Sequence, residues 1–160
     1  MTSFTPKETY RQVSDISLDY LINDIKIKGL IFDFDGTLIS SKRKLSIQTL
    51  NFIKKAKEKG LKISILSNNI YVSNTILKTL NINTTKKFAF KPFKKPFLDM
   101  AKRMKLSPNK IALIGNNRIS DILGANRAGL YSIYIQDTNS FFFKNKIKNK
   151  LKNIGIKHID

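Results

Sequence analysis

The stretch Leu30-Ile31-Phe32-Asp33-Phe34-Asp35-Gly36-Thr37 decides the fold. Its apolar beginning has the composition of a buried strand, and Asp33 and Asp35 follow where that strand reaches a turn. Alternate residues of a strand point the same way, so both carboxylates are predicted to face one crevice at the carboxyl end of the strand, where open α/β sheets bind ligands. Paired like charges are costly there unless a cation neutralises them or one stays protonated. The pair therefore predicts carboxylate chemistry such as phosphoryl transfer through an aspartate.

Composition limits the class of protein. At 160 residues the chain has the length of about one domain. It has no cysteine, which excludes thiol nucleophiles, disulfides and thiolate zinc sites. Its one histidine, His158, is expected to be solvated and to have no catalytic role. No apolar stretch approaches the roughly 20 residues of a membrane span, and the first residues lack the order of a signal peptide, so a cytoplasmic protein is expected.

The net charge of +19 is large for this length. It predicts anionic partners such as phosphates, nucleic acid or an anionic lipid surface. The chain is rich in lysine, asparagine and isoleucine, as proteins from AT-rich genomes are. Nucleotide bias therefore explains part of the lysine excess equally well. The sequence leaves both explanations open.

Short β-rich runs alternate with helical patterns, which predicts an α/β fold with a parallel sheet and crossover helices. Five strands are expected, at residues 30–34, 62–66, 88–90, 111–114 and 132–135. Apolar residues at helical spacing predict helices within residues 47–56, 72–80, 97–104 and 120–128. The expected organisation is an N-terminal extension at 1–27, a core at 28–138 and a basic, helical C-terminal tail at 139–160.

Each later strand is followed by groups suited to phosphoryl chemistry. Ser67-Asn68-Asn69 offers hydroxyl, amide and backbone donors for phosphate oxygens. Lys91 can neutralise charge on the phosphate and on an attacking carboxylate. Gly115-Asn116-Asn117-Arg118-Ile119-Ser120-Asp121 offers oxygen ligands for a hard cation such as Mg²⁺. Taken singly, these are explained as a turn, a surface lysine and a helix cap, but their order along one sheet edge favours a site.

Read in order, the four segments resemble the four motifs of the haloacid dehalogenase superfamily. The resemblance covers about residues 28–135, and Asp-Phe-Asp-Gly-Thr is its most specific part. Residues 65–69, 89–92 and 124–129 look like the YqeG-type branch, subfamily IIIA, as does Ser14-Asp15-Ile16. The resemblance implies a three-layer Rossmann-like fold and a Mg²⁺-dependent phosphomonoesterase with an aspartyl-phosphate intermediate. Members of the branch are associated with dephosphorylation of phosphatidylglycerophosphate, which is the expected substrate.

The resemblance also implies individual roles. Asp33 is the implied nucleophile, and Asp35 the acid that protonates the leaving oxygen and then the base that activates water. Lys91 is the implied holder of charge at the reacting groups. The implied substrate-binding residues are Thr37, Ser67, Asn68 and Lys91, and the implied metal-binding residues are Asp33, Asp35 (through its carbonyl), Asn116 and Asp121.

Two positions depart from the branch. Gly36 stands where the branch usually carries asparagine, a change that matches the wider superfamily. Asn116 stands where the fourth motif has aspartate, so a neutral amide replaces an anionic ligand and weaker Mg²⁺ binding is expected. The second departure, with the basic charge, keeps open a metal-poor scaffold that binds nucleic acid.

Spacing and charge bear on the substrate. One helix fills each interval from Asp33 to Ser67 and from Ser67 to Lys91, so no inserted cap domain is predicted. An open site suits a head group on a membrane, a macromolecule, or a cap supplied by a partner.

Lysines and phenylalanines around the third motif predict an anionic lipid interface, with a soluble phosphatase of nucleotides or sugar phosphates as the alternative. The basic amphipathic tail suits either membrane binding or a helix packed on the domain; its apolar residues are Phe143, Ile147, Leu151 and Ile154.

Overall fold

The computed structural model describes residues 3–40 and 43–136 as a six-stranded parallel sheet with helices on both faces. The strands are β1 (Glu8–Tyr10), β2 (Gly29–Phe32), β3 (Lys62–Leu66), β4 (Thr85–Lys86), β5 (Ile111–Gly115) and β6 (Tyr131–Ile135). The helices are α1 (Leu18–Asn23), α2 (Ile47–Glu58), α3 (Asn74–Leu80), α4 (Lys94–Met104) and α5 (Gly124–Ala128). The strand order is β1-β6-β5-β2-β3-β4. The predicted α/β fold with a parallel sheet is confirmed, whereas the prediction of five strands is wrong.

Side chains of alternate strand residues fill two separate cores, as the pleat requires. On one face, Leu30 and Phe32 of β2 pack with buried residues of α1, α2 and α3. On the other face, Ile31 packs with Phe97 of α4 and Ala125 of α5. The sheet is therefore the middle of three layers.

The sixth strand comes from the predicted N-terminal extension. Residues Glu8–Tyr10 pair in parallel with β6, in the register Glu8↔Ile133. Further along this segment, Val13, Ile16 and Leu21 are buried in the main core. This strand has three residues and no apolar run, so it carries no strand signal of its own. Its partner strand, rather than its composition, determines its structure.

The third predicted strand is displaced. Residues 88–90 are not a strand, because Phe88 and Phe90 lie in the left-handed region, with φ of 50° and 57°. The strand that pairs with the outer side of β3, away from β2, is Thr85–Lys86, two residues long. The aromatic composition of 88–90 predicted a strand, but Phe88 and Phe90 are exposed rather than packed on a sheet.

The predicted helices are present with changes at their ends. Ser46 caps α2 by accepting a hydrogen bond from the Thr49 N–H, and Gly60 follows with a φ of 83°. The helix predicted at 120–128 begins earlier, as a π-helical turn over Arg118–Leu123 that continues into α5. Within the described residues, no helix is long and apolar enough to cross a bilayer. The predicted tail at 139–160 lies outside the described residues.

Candidate active site

The candidate site lies where β2 ends at the centre of the sheet. Phe32 pairs with Ile65 on one side and with Ile114 on the other, and the Asp33 N–H donates to the Ile114 carbonyl at 2.9 Å. The strand ends at Phe32, so Asp33 and Asp35 both lie in the following turn. The site is therefore at the carboxyl edge of the sheet, as the sequence predicts, but on turn residues rather than on the strand itself.

A buried ion cluster of Asp33, Lys91 and Asp121 forms the floor of the site. The Lys91 ammonium lies 2.6 Å from Asp33 Oδ1 and 2.6 Å from Asp121 Oδ1. The Lys91 side chain is 1% exposed and that of Asp121 is fully buried, whereas that of Asp33 is 12% exposed. Asp121 Oδ2 also accepts the Asn117 N–H at 3.0 Å. Asp33 is thus the member of the cluster that reaches the opening of the site.

The electrostatics of this cluster distinguish Asp33 from its neighbours. Burial and repulsion by the Asp121 carboxylate raise the pKa of Asp33 to about 7, although Lys91 opposes this shift. Burial alone would lower the pKa of Lys91, but attraction to Asp121 and Asp33 raises it, so this lysine stays charged. The Lys91 ammonium, which stays charged, therefore lies beside the Asp33 carboxyl group. A further positive charge at the site would lower the pKa of Asp33 and ionise it more completely.

Asp35 and the loop after β3 form one wall of the site. Asp35 Oδ2 accepts a hydrogen bond from Asn69 Nδ2 at 3.0 Å. Asn68 instead holds the backbone of Lys91: its Oδ1 accepts the Lys91 N–H at 2.7 Å, and its Nδ2 donates to the Lys91 carbonyl at 3.0 Å. The amide that positions the carboxyl group of Asp35 is therefore Asn69, which belongs to the predicted donor segment but was given no individual role. The sequence contains both amides in the same segment, and composition gives no means of choosing between them.

Thr37 and Asn116 meet on the opposite side of the turn. The Thr37 hydroxyl donates to Asn116 Oδ1 at 3.4 Å, and Thr37 is buried. Gly36 has a φ of 79°, and a Cβ there would collide with the Asn116 amide. Glycine is thus required at 36 both by the backbone and by the close approach of Asn116. Ser67 is also buried, and its hydroxyl accepts the Asn69 N–H at 3.0 Å.

The oxygen atoms around the turn have the chemistry that a hard divalent cation requires. Asp33 contributes a carboxylate, Asp35 a backbone carbonyl, and Asn116 an amide oxygen beside the same turn. Asp121 directs both carboxylate oxygens to Lys91 and the Asn117 N–H. Across residues 3–40 and 43–136, no three acidic or histidine side chains form a metal-binding group. The donors present therefore fit a cation held mainly by neutral oxygens and one carboxylate.

Comparisons with known proteins agree with this geometry. A family of haloacid dehalogenase-like hydrolases matches residues 30–87. The probable phosphatase YqeG of Bacillus subtilis (strain 168) is 30% identical over 134 residues, covering 82% of this chain and 77% of the relative. The fold and the edge-of-sheet aspartates thus define a haloacid dehalogenase-like hydrolase.

Two solved structures share the fold. A cobalt-bound deoxy-D-mannose-octulosonate 8-phosphate phosphatase from Haemophilus influenzae has a TM-score of 0.59 and 17% identity, covering 76% of this chain and 75% of that one. A subfamily III A hydrolase of the haloacid dehalogenase superfamily from Legionella pneumophila has a TM-score of 0.59 and 20% identity, covering 77% and 74%. The chain belongs to the haloacid dehalogenase superfamily, in its YqeG-type phosphatase branch.

Proposed function

We propose that this phosphatase hydrolyses the phosphomonoester of an anionic glycerophospholipid, phosphatidylglycerophosphate, with the help of Mg²⁺. The observation that carries the chemistry is the position of Asp33, whose Oδ1 is 2.6 Å from a buried ammonium and which reaches the opening of the site. A carboxylate that attacks a phosphate monoester meets like-charge repulsion, and Lys91 relieves it in a poorly hydrated site. The soluble sugar or nucleotide phosphates remain the alternative substrates.

The chain's own residues account for both halves of the reaction. Asp33 attacks phosphorus, the bond from phosphorus to the leaving oxygen breaks, and Asp35 gives that oxygen its proton. Water then attacks the phosphoryl group on Asp33, Asp35 takes the proton, and inorganic phosphate leaves. Asp33, the Asp35 carbonyl and Asn116 would hold a divalent cation, which would supply charge stabilisation at the phosphoryl oxygens.

A basic cavity beside the turn supports a substrate with a second anionic group. The cavity has a volume of about 230 Å³ and is bordered by Thr37 and by the basic residues Arg11 and Lys44. Among the described residues, no carboxylate lines it. Phosphatidylglycerophosphate carries a phosphodiester near its phosphomonoester, and we propose that this cavity receives the phosphodiester. A small monophosphate has no group to place there.

The proposed function is tested by phosphate release from phosphatidylglycerophosphate in detergent micelles, measured beside a panel of sugar and nucleotide phosphates with and without Mg²⁺. We expect metal-dependent release with the highest kcat/KM for the lipid. A higher kcat/KM for any of the soluble phosphates would assign the enzyme to the soluble class. Salt-sensitive nucleic-acid binding without turnover of any substrate would instead support the scaffold function.

Replacing Arg11 with glutamine should raise KM for the lipid in micelles by about 2- to 10-fold, because a charged contact to the phosphodiester is lost. kcat and the hydrolysis of a small monophosphate should stay unchanged. Steady-state kinetics on both substrates make the comparison, and Arg103→Gln, an exposed arginine in the last turn of α4, is the matched control. Equal effects on both substrates would remove the cavity from substrate binding.

Replacing Asn116 with aspartate should tighten Mg²⁺ binding and raise activity at limiting metal, because it adds a negative charge beside the proposed cation. Titration of activity against Mg²⁺ in both forms measures the shift. Asn117→Asp is a control of the same chemistry one residue further along, at a side chain that instead caps the π-helical turn. Superimposable metal curves for wild type and Asn116→Asp would place the cation away from Asn116.

Replacing Asp35 with asparagine should reduce turnover by at least about 10²-fold, the usual scale of general acid–base assistance. The loss of first-step rate should be smaller for an activated aryl phosphate, whose leaving group needs no proton. Burst and steady-state kinetics on both substrate types separate that step from hydrolysis of the phosphoryl enzyme. An equal loss of first-step rate on both would argue against Asp35 as the acid.

A further inference from the structure

Five large apolar side chains are exposed around the candidate site. They are 58% to 74% exposed and stand in the two loops that follow β3 and β4; we call them the apolar rim, and they are Ile70, Tyr71, Phe88, Phe90 and Phe93. Single exposed apolar residues are ordinary, but a group of this size on one edge of a protein marks an interaction surface.

The apolar rim is built on the loops of the site itself. Tyr71 comes two residues after Asn69, the amide that holds Asp35, and the Phe88 N–H donates to the Asn69 carbonyl at 3.4 Å. Phe90 directly precedes Lys91 of the ion cluster. A partner that covers the apolar rim is therefore brought to the opening of the site.

The backbone presents these rings instead of burying them. Phe88 and Phe90 have φ of 50° and 57°, and Ala89 between them is buried with its N–H donated to the Ser67 carbonyl at 2.9 Å. The two rings contact each other edge to face, with centroids 4.4 Å apart. Anchoring of the middle residue thus directs both neighbours outward, in a conformation that L-residues adopt only when the surroundings impose it.

Positive charge surrounds the apolar rim. Lys87, Lys94 and Lys95 are exposed beside it, and within residues 3–40 and 43–136 neither Lys87 nor Lys94 forms an ion pair. This combination of side chains suits an anionic bilayer surface. Aromatic side chains insert at the boundary of head groups and acyl chains, and lysines reach the lipid phosphates. The net charge of +19 acts in the same direction.

We propose that the apolar rim inserts into the interfacial region of an anionic lipid bilayer and seats the site over the head groups. This proposal rests on the proposed lipid substrate for its purpose, but the docking itself needs no turnover. It assigns membrane contact to the loops around the site, independently of the tail at 139–160.

The chain contains no tryptophan, so one introduced indole reports on its own position. Phe90→Trp places the reporter on the apolar rim. Phe4→Trp is the matched control, because Phe4 is 52% exposed and precedes β1 at the opposite edge of the sheet. With phosphatidylglycerol vesicles, we expect the emission of the Phe90→Trp protein to shift to the blue and to be quenched by lipids brominated on their acyl chains. The emission of the Phe4→Trp protein should not change, and neutral phosphatidylcholine vesicles should give no response in either protein.

Vesicle co-sedimentation adds a second measurement. The double variant Phe88→Ser/Phe90→Ser should bind phosphatidylglycerol vesicles about tenfold or more weakly than wild type, and Phe4→Ser should bind equally well. Quenching of both indoles alike, or of neither, would overturn the proposal. A response of the Phe90→Trp protein to single-stranded nucleic acid but not to vesicles would also overturn it.

The docking proposal and the proposed function fail in distinguishable ways. If the lipid is hydrolysed in micelles but the indole of the Phe90→Trp protein does not enter vesicles, the docking surface is wrong and the substrate stands. If that indole enters vesicles but only soluble phosphates are hydrolysed, the substrate is wrong and the docking surface stands.

Discussion

Asp33→Asn should abolish turnover and leave the fold in place. An amide cannot attack phosphorus as a carboxylate does, so no phosphoryl group is transferred to the enzyme. Lys91 keeps one partner in this variant, because Asp121 remains 2.6 Å from its ammonium. Phosphate release measured with micellar lipid and with an activated aryl phosphate tests the activity. Asp19→Asn, at a 70% exposed carboxylate paired with Lys59, is the control and should keep wild-type turnover.

The same variant should unfold at an equal or higher temperature than wild type in metal-free buffer near pH 8. The pKa of Asp33 is raised to about 7 in the folded protein, so folding favours its protonated form. A group whose folded pKa is raised contributes stability at low pH that is lost as the pH rises through the folded value. The neutral amide removes this loss between about pH 4 and pH 8. A lower thermal midpoint at pH 8 would mean that the Asp33–Lys91 contact outweighs the cost of burying a second carboxylate.

Lys91→Met should destabilise the protein strongly and remove activity. Lys91 is the one cation in contact with the buried carboxylates of Asp33 and Asp121 within the described residues, and breaking a buried ion pair by removing one partner costs about 3–5 kcal/mol. For a domain of this size, that corresponds to a fall of roughly 10 °C in the thermal midpoint. Thermal unfolding monitored by circular dichroism measures the change, and Lys54→Met, at an exposed position of α2, is the control.

The destabilisation should depend on pH in a definite direction. The charge and hydrogen bond of Lys91 lower the pKa of Asp33, so removal of Lys91 leaves that pKa still higher. The deficit of the variant should therefore grow as the pH rises from about 5 to about 8. Adding Asp33→Asn to Lys91→Met should recover part of the lost stability without restoring turnover. A deficit that is constant with pH, with no recovery in the double variant, would mean that Lys91 acts through packing rather than charge.

The sequence predicts the centre of this fold better than its edges, for a physical reason. Strands β2, β3 and β5 are buried over most of their length, so they are rich in apolar residues that local composition reveals. The edge strands are short, and their structure comes from pairing with a neighbour. For this reason composition does not reveal the edge strand Glu8–Tyr10. It also predicts a strand at 88–90, whereas the edge strand of the structure is Thr85–Lys86, two residues long.

In the candidate site, too, the sequence predicts some features and not others. The paired aspartates, the lysine and the fourth segment could be found because parallel strands bring their carboxyl ends to one edge. The different roles of the two neighbouring amides could not be predicted: Asn68 hydrogen-bonds to the Lys91 backbone, and Asn69 hydrogen-bonds to the Asp35 carboxyl group. Which amide contacts which group depends on the direction of each side chain in the turn, and sequence spacing does not predict that direction in irregular structure.

The pairing of β1 with β6 has a consequence for biosynthesis. Glu8 and Ile133 are partners, so β1 is synthesised well before its partner strand and cannot pair with it until residues 131–135 have left the ribosome. Until then β1 is an unpaired strand on a nascent chain, able to pair with the wrong edge. During synthesis, the pairing of β1 therefore has to wait for β6, and ribosome-bound chains that stop before Tyr131 should remain sensitive to proteolysis near residues 8–10.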